Sequence, residues 1–308
     1  MRMITLDKQA LLRTMPDLAR RHWNQMPQAV ACLGGGSFGL VFRLDFPDGR
    51  RAVVKAYRVE GMNETEAFQL RLLGAHTRVP MPRPLFTAEN YLGMTFIEGY
   101  DALTQLRFLV KSKALRQQFA ADVVTGMLDW HAVEGKAFGY VQDLGCSDWR
   151  AFYQTIVDEV LAGIRAMENF SPRQRATLEA AAAQQDKILT EDVGAPRLIH
   201  GDLNVMNIMA DVKTFRLTGF IDPFNSMWAD REYDLFQLRN VTGDRYGLYR
   251  EYKSRVRCSE LVDLKITYYA AVNEALAYLR SGKKFEPNHI IWDQRLRHEM
   301  KRYGLKLP

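Results

Sequence analysis

Apolar residues at Leu11, Leu12, Met15, Leu18 and Ala19 recur at helical spacing, which predicts a helix over residues 7–23 that Pro27 closes. The pattern then shortens. AVACLGGGSFGLVFRLDF reads as strand, glycine turn, strand, and DGRRAVVKAYRV as a tight Asp-Gly turn into a third strand. NETEAFQLRLLGAH returns to helical spacing with a Gly near its end, the prolines of VPMPRPL mark a loop, and NYLGMTFIEG reads as another strand stopped by Gly. After Gly99 the chain turns mainly helical, with long helices over 112–133 and 149–190 and FGYVQDLGCSD as a loop between them. PRLIHGDLNVMNIMAD starts as a strand and ends in a loop, RLTGFIDPF is a short strand, and residues 234–282 are helical again. The patterns predict an α+β chain of two lobes. A small β-rich N-lobe covers residues 1–99 and a larger, mainly helical C-lobe covers 100–308, with a cleft of the kind that commonly binds ligands.

Composition narrows the class. The 308 residues are 47% hydrophobic and 25% charged, which excludes wholesale disorder, collagen-like repeats and a disulfide-stapled miniprotein. A net charge of +6 suits an anionic ligand such as a nucleotide. The dense stripe of Lys and Arg interleaved with aromatics that marks a nucleic-acid binder is missing, so no nucleic-acid partner is expected. Cys32, Cys146 and Cys258 are far apart and form no C-x-x-C pair, which points to a reducing, cytoplasmic setting. The N-terminus lacks the apolar run of a signal peptide, and no stretch approaches 18 uncharged apolar residues, so neither a leader nor a membrane span is expected. Nothing in the sequence calls for an obligate protein partner.

Candidate chemistry begins at His200-Gly201-Asp202, with Asn207 five positions beyond the Asp. Phosphoryl transfer to a hydroxyl needs a carboxylate to accept the proton and an oxygen ligand for the magnesium that neutralises the phosphates. Asp202 and Asn207 have the spacing for those two jobs, although an Asp turn followed by an Asn turn would look the same. Twenty residues beyond Asp202, Phe220-Ile221-Asp222 ends an apolar run with a carboxylate, which suits either a second metal ligand or an ordinary strand end. Gly34-Gly35-Gly36-Ser37-Phe38-Gly39 lies between two strands, where glycines let backbone amides approach phosphate oxygens or merely turn the chain. No Gly-Lys-Ser/Thr follows, so this is not a Walker loop, and a strand rather than a helix follows, so it is not a dinucleotide fingerprint. Lys55 in AVVKAY stands among apolar residues on a strand, where its charge must be compensated unless it faces solvent from an edge. A partner Glu is expected on the following helix, Glu66 first and Glu64 second.

These signals follow one another in kinase order, and in that order the chain resembles the aminoglycoside phosphotransferase family of the protein-kinase-like superfamily. LIHGDLNVMNIM is similar to the family's catalytic loop, and GFIDPFNSMWADREYDL to its metal Asp and the acidic stretch beyond, with Asp222, Asp230 and Asp234 at the family's spacing. The resemblance runs from about Gly34 to about Leu238. It implies a two-lobed protein-kinase-like fold, ATP and Mg2+ as cofactors, and transfer of the γ-phosphoryl group to a small-molecule hydroxyl. Carried over residue by residue, it implies that Asp202 is the base, that Asn207 and Asp222 hold metal, and that Lys55 grips phosphates. It also implies a hinge at Thr95-Phe96-Ile97-Glu98 whose backbone at Thr95 and Ile97 pairs with adenine. Gly201 stands where protein kinases usually carry Arg, and no Ala-Pro-Glu follows the metal Asp; both departures favour a small-molecule kinase. For Asp230, Glu232 and Asp234 a structural part is expected, Asp234 as a helix cap. Tyr268, Tyr269 and Tyr278 read as core.

The acceptor is left open. Residues 100–279 carry 21 basic and 24 acidic side chains, only mildly acidic for a polycationic aminoglycoside, and residues 280–308 carry eight basic and three acidic. Fructosamine kinases are the nearest alternative, since FGYVQD, the Trp149–Phe152 region and REYDLFQL resemble them, but they usually have Trp where this chain has Asn204. A non-catalytic nucleotide-binding regulator with a kinase fold is the reading from another class.

Overall fold

The structure, a computed structural model, describes residues 4–36, 38–101 and 112–308. The chain divides into two compact units, Met1–Leu106 with Met206–Phe224, and Arg107–Val205 with Asn225–Pro308.

In the first unit, helix α1 (Lys8–Trp23) begins where the Asp7 carboxylate accepts the backbone N–H groups of Gln9 and Ala10 at 2.7 and 3.1 Å. These are amides that a helix start leaves without partners. Its buried face, Leu11, Met15, Leu18 and Ala19, packs with Phe42, Leu44, Phe46, Val54 and Ala56 of the sheet. That sheet consists of β1 (Ala29–Gly35), β2 (Gly39–Asp45), β3 (Arg51–Tyr57), β4 (Pro84–Ala88) and β5 (Tyr91–Thr95). It is antiparallel, in the order β1-β2-β3-β5-β4. Strand β4 starts inside the proline stretch expected as loop. Pro84 is tolerated because β4 lies at the sheet edge, where a missing N–H need not cost a ladder bond. Helix α2 (Met62–Ala75) follows β3. A second sheet joins β6 (Tyr100–Asp101), β10 (Ile208–Ala210) and β11 (Leu217–Phe220) in the order β11-β10-β6. Residues 208–210, expected as loop, are thus its central strand.

In the second unit, α3 (Lys113–His131) is followed by β7 (Phe138–Tyr140) and β8 (Asp143–Cys146). This antiparallel hairpin occupies the segment expected as loop; its strands are too short to show alternation. The helix expected over 149–190 is three helices: α4 (Trp149–Ala166), α5 (Pro172–Ala182) and α6 (Gln185–Ile188). Ser171 and Pro172 make the break, Ser171 as cap and Pro172 at the first helical position, where its missing N–H costs no intrahelical bond. Strand β9 (Arg197–Ile199) pairs with β12 (Met227–Ala229) in a sheet of order β8-β7-β12-β9. A 3-10 turn at Arg231–Asp234 leads into α7 (Leu235–Leu238), α8 (Val241–Tyr246), α9 (Leu248–Arg255) and α10 (Val262–Ser281). The single helical stretch expected here is interrupted by the Asn240 cap and by Gly247 at φ 74°. Helix α11 (Glu286–Arg302), in the basic tail, was not anticipated by the sequence pattern. Tyr268, Tyr269 and Tyr278 are buried, as expected, and the Trp149 indole donates to the Tyr269 hydroxyl at 2.8 Å.

Glu274 on α10 accepts from the Asn288 amide at 3.0 Å, and burial pushes its carboxyl up to about 7. The folded chain therefore holds this proton more tightly than the unfolded chain does. Stability from this group is present at low pH and is lost as pH rises from the ordinary carboxylate range through about 7. Glu274→Gln should gain much more thermal stability over the parent at pH 8 than at pH 5, by thermal denaturation; equal gains at both pH values would contradict this. Among the described residues, no helix is long and apolar enough to cross a membrane.

Candidate active site

Lys55 is placed by β3, with Val53 and Tyr57 two positions away on the same strand face and Val41 of β2 opposite it. Its Nζ donates to Glu66 Oε2 at 2.6 Å and to Asp222 Oδ1. The Tyr57 hydroxyl donates to the same Glu66 oxygen at 2.7 Å. Glu66 rather than Glu64 is therefore the partner of Lys55. The Lys55 side chain is 11% exposed and that of Glu66 9%, so each needs its counter-charge. Burial alone would push the Lys55 ammonium down; Asp222 and Glu66 outweigh it and hold the group above its ordinary value, so Lys55 stays charged. Burial pushes the Glu66 carboxyl up, opposed mainly by Lys55.

Asp222 differs from Glu66 in being 48% exposed at its side chain, so one of the two carboxylates on Lys55 is presented outward. It follows β11 at φ 55°, in the left-handed region that non-glycine residues rarely adopt, a strained position typical of functional turns. Asn207, just before β10, holds this turn. Its backbone carbonyl accepts the Ile221 N–H at 3.0 Å, and its side-chain amide lies 3.5 Å from the Asp222 carbonyl. Asn207 and Asp222 are thus brought together on adjoining strands.

Beside these charges lies a pocket open to solvent, about 560 Å³ with its mouth included, lined mainly by Leu33, Val41, Val53, Met94, Ile97, Met209 and Ile221, with Lys55, Glu66 and Asp222 also on its wall. Thr95 ends β5, and its hydroxyl accepts the Arg83 N–H at 2.9 Å. Ile97 borders the cavity, and its backbone N–H and C=O have no hydrogen-bond partner among the described residues. Gly34 and Gly35 close β1, Gly36 leaves it, and Gly39 opens β2. Ser37 lies outside the described residues. At Gly39 the need for glycine is steric, because a Cβ there would sit on the Ala56 carbonyl oxygen. Gly34 has φ 135°, which other residues rarely adopt.

In the second unit, Asp202 follows β9. Two side-chain amides donate to its Oδ1, Asn204 at 2.9 Å and Gln237 at 2.7 Å. The loop backbone is held from the acidic stretch. Asp234, fully buried, accepts the N–H of His200 at 2.9 Å and of Gly201 at 2.8 Å. Asp234 therefore does not cap a helix with its side chain, as the sequence suggested; its carboxylate is consumed by the loop before Asp202. Gly201 has φ 83°, a second reason for glycine at that position. Asp230 and Glu232 flank the buried Lys265, each at 2.7 Å, and Glu232 also accepts from the Ser259 N–H and hydroxyl. Their part is structural, as expected.

Sequence reasoning missed Tyr57, Gln237 and the apolar lining. Val41, Val53 and Tyr57 were recoverable from strand alternation around Lys55; Gln237, remote in sequence from Asp202, left no local signal.

Compared with known proteins, residues 30–262 match the model of a phosphotransferase enzyme family. A proposed fructosamine-3-kinase of Thermobifida fusca is 17% identical, with a TM-score of 0.71 over 92% of this chain and 99% of that one. A macrolide 2'-phosphotransferase type I is 18% identical, with a TM-score of 0.65 over 95% of this chain and 99% of that one. The GDP and kanamycin complex of APH(2")-IIia is 16% identical, with a TM-score of 0.66 over 95% of this chain and 99% of that one. No curated protein sequence matches. At these identities the three likenesses establish a shared protein-kinase-like phosphotransferase fold. The family match covers most of the chain, so the chain belongs to the phosphotransferase enzyme family and is an enzyme of the small-molecule kinase class.

Proposed function

We propose that the enzyme transfers the γ-phosphoryl group of ATP to a hydroxyl of a small molecule. The observation that carries this reading is the junction of Lys55, Glu66 and Asp222 beside an apolar cavity. A planar base fits between the apolar side chains; the Thr95 N–H is given to the Arg83 carbonyl at 3.0 Å, so Thr95 would pair with the base edge through its carbonyl and Ile97 through its backbone. Lys55, kept charged and held by Glu66, meets phosphate oxygens, with Gly34, Gly35, Gly36, Ser37 and Gly39 as the backbone cradle. A GDP complex of a protein with the same fold supports nucleotide use, and the choice of ATP over GTP belongs to the proposal.

Asn207 and Asp222 fit a divalent cation of the magnesium type, because both offer oxygen, the donor a hard cation takes. Among the described residues no group of three or more His, Cys, Asp or Glu could hold a metal by itself, so phosphate and water would complete the shell. When bound, the ion supplies neutralisation of phosphate charge. Asp202 accepts the proton of the acceptor hydroxyl as its oxygen bonds to the γ-phosphorus and the bond to ADP breaks. Asn204 and Gln237 hold the carboxylate that does so. The acceptor is a small hydroxyl compound; an aminoglycoside, a ketosamine and other hydroxylated antibiotics or metabolites are the classes the sequence leaves open.

Titration with ATP, with and without magnesium, tests the reading. The parent should bind magnesium–ATP, and Lys55→Met should bind it at least 10-fold more weakly, the loss expected when a charge-assisted hydrogen bond disappears. Its thermal midpoint should fall, because buried Glu66 loses its counter-charge, so binding is compared at a temperature where both proteins are folded. Equal binding by both proteins would separate Lys55 from the phosphates. Binding without any phosphate transfer to any hydroxyl compound would favour the non-catalytic regulator.

A further inference from the structure

We propose that Gln237 is a positioning residue for Asp202, and that the helix cap Asn240 sets the direction in which its amide points. The inference rests on the reading of Asp202 as the base.

A side-chain amide has a donor end and an acceptor end, so a Gln beside a carboxylate is useful only if the donor end faces it. Here a run of hydrogen bonds fixes that choice. Asn240 caps α8, and its Oδ1 accepts the Gly243 N–H at 2.7 Å and the Thr242 hydroxyl at 2.8 Å. With its oxygen so engaged, Asn240 can present only its NH2 group to Gln237, and that group lies 3.4 Å from Gln237 Oε1. Gln237 must then turn Nε2 the other way, and Nε2 donates to Asp202 Oδ1 at 2.7 Å. The backbone amide of Gly243, at the start of a helix, thereby dictates which end of Gln237 meets the carboxylate.

The neighbouring Asp234 gives this arrangement its purpose. Asp234 and Gln237 are three residues apart on one continuous helical segment, the 3-10 turn running into α7. Asp234 fixes the backbone of His200 and Gly201. Gln237, one turn on, fixes the side chain of Asp202. Asn204 adds a second amide to the same oxygen, so two side-chain donors converge on Oδ1. Two donors on one oxygen restrict rotation about the carboxylate bond, which a base needs if its proton acceptor is to stay aimed.

Gln237→Met tests this, since Met keeps length and helix preference but cannot donate. In a crystal structure of that variant the His200–Gly201 backbone should stay on Asp234, while the Asp202 carboxylate rotates or spreads over more than one orientation. With whichever of kanamycin, erythromycin and fructosyl-lysine the parent phosphorylates, kcat should fall roughly 10- to 100-fold with little change in the KM for ATP. Gln237→Glu keeps the shape of Gln but puts a second carboxylate against Oδ1. The like charge favours a proton on one of the two acids, which competes with the base for the acceptor proton, and kcat should fall further. An unmoved Asp202 carboxylate in Gln237→Met, or a kcat within twofold of the parent in both variants, overturns the inference. Asp202→Asn separates the two levels. If it is inactive while the Gln237 variants are normal, only the positioning role fails; if it stays active, the reading of Asp202 as base fails with it.

Discussion

Asp202→Asn should lose about 10²–10⁴-fold in acceptor-dependent turnover, the usual worth of a general base, while binding magnesium–ATP as the parent does. The substitution is nearly isosteric. An Asn oxygen can still accept from Gln237 and Asn204, so the loop and the thermal midpoint should be preserved. What would disappear, on the proposed reading, is the ability to take a proton from the acceptor hydroxyl. Steady-state ADP release in the presence and absence of acceptor measures the effect. Turnover close to the parent's would remove Asp202 from the chemistry.

Asp222→Ala should abolish turnover and remove the magnesium dependence of nucleotide binding, with Asn207→Ala less severe. The reason is electrostatic. The β- and γ-phosphates crowd several negative charges that one ammonium and a set of backbone amides cannot neutralise. In the proposed site Asp222 would bring charge to the metal, whereas Asn207 would bring only an oxygen. Asp222 also shares Lys55 with Glu66, and it is the more exposed of the two carboxylates, the one a metal and phosphates can reach. Its loss leaves Lys55 paired with Glu66, so the fold of the β-sheet unit should survive. Nucleotide titration with and without magnesium reads the outcome. A variant that still binds magnesium–ATP tightly and turns over would reduce the Asp222 turn to an ordinary strand end.

Much of this site was legible in the sequence because kinase chemistry places its residues on short, continuous motifs. The Lys55 strand, the glycine-rich turn between β1 and β2 and the spacing of Asp202, Asn207 and Asp222 are local patterns, and Glu66 was the first choice over Glu64. Short strands were less legible. β7, β8, β10 and β12 have three or four residues each, too few to display alternation; β7, β10 and β12 each pair with a strand distant in sequence, and β8 is held by its hairpin with β7. The membership of residues 206–224 in the unit of the N-terminal sheet has the same origin: Met209 pairs with Asp101, and Phe220 N–H reaches the Pro80 carbonyl. The true partner of Asp234 was hidden because a buried carboxylate before an apolar run has the sequence signature of a cap whichever backbone amides it accepts. Gln237 was hidden because its role depends on a loop 35 residues away.

Phosphorus NMR of the enzyme with magnesium–ATP and a panel of aminoglycosides, macrolides and ketosamines tests the central claim most directly. The γ-phosphate resonance should disappear as ADP and a phosphomonoester of one acceptor class grow together, and none of this should occur with Asp202→Asn. ATP left intact with every acceptor, or split only to ADP and inorganic phosphate, would contradict it.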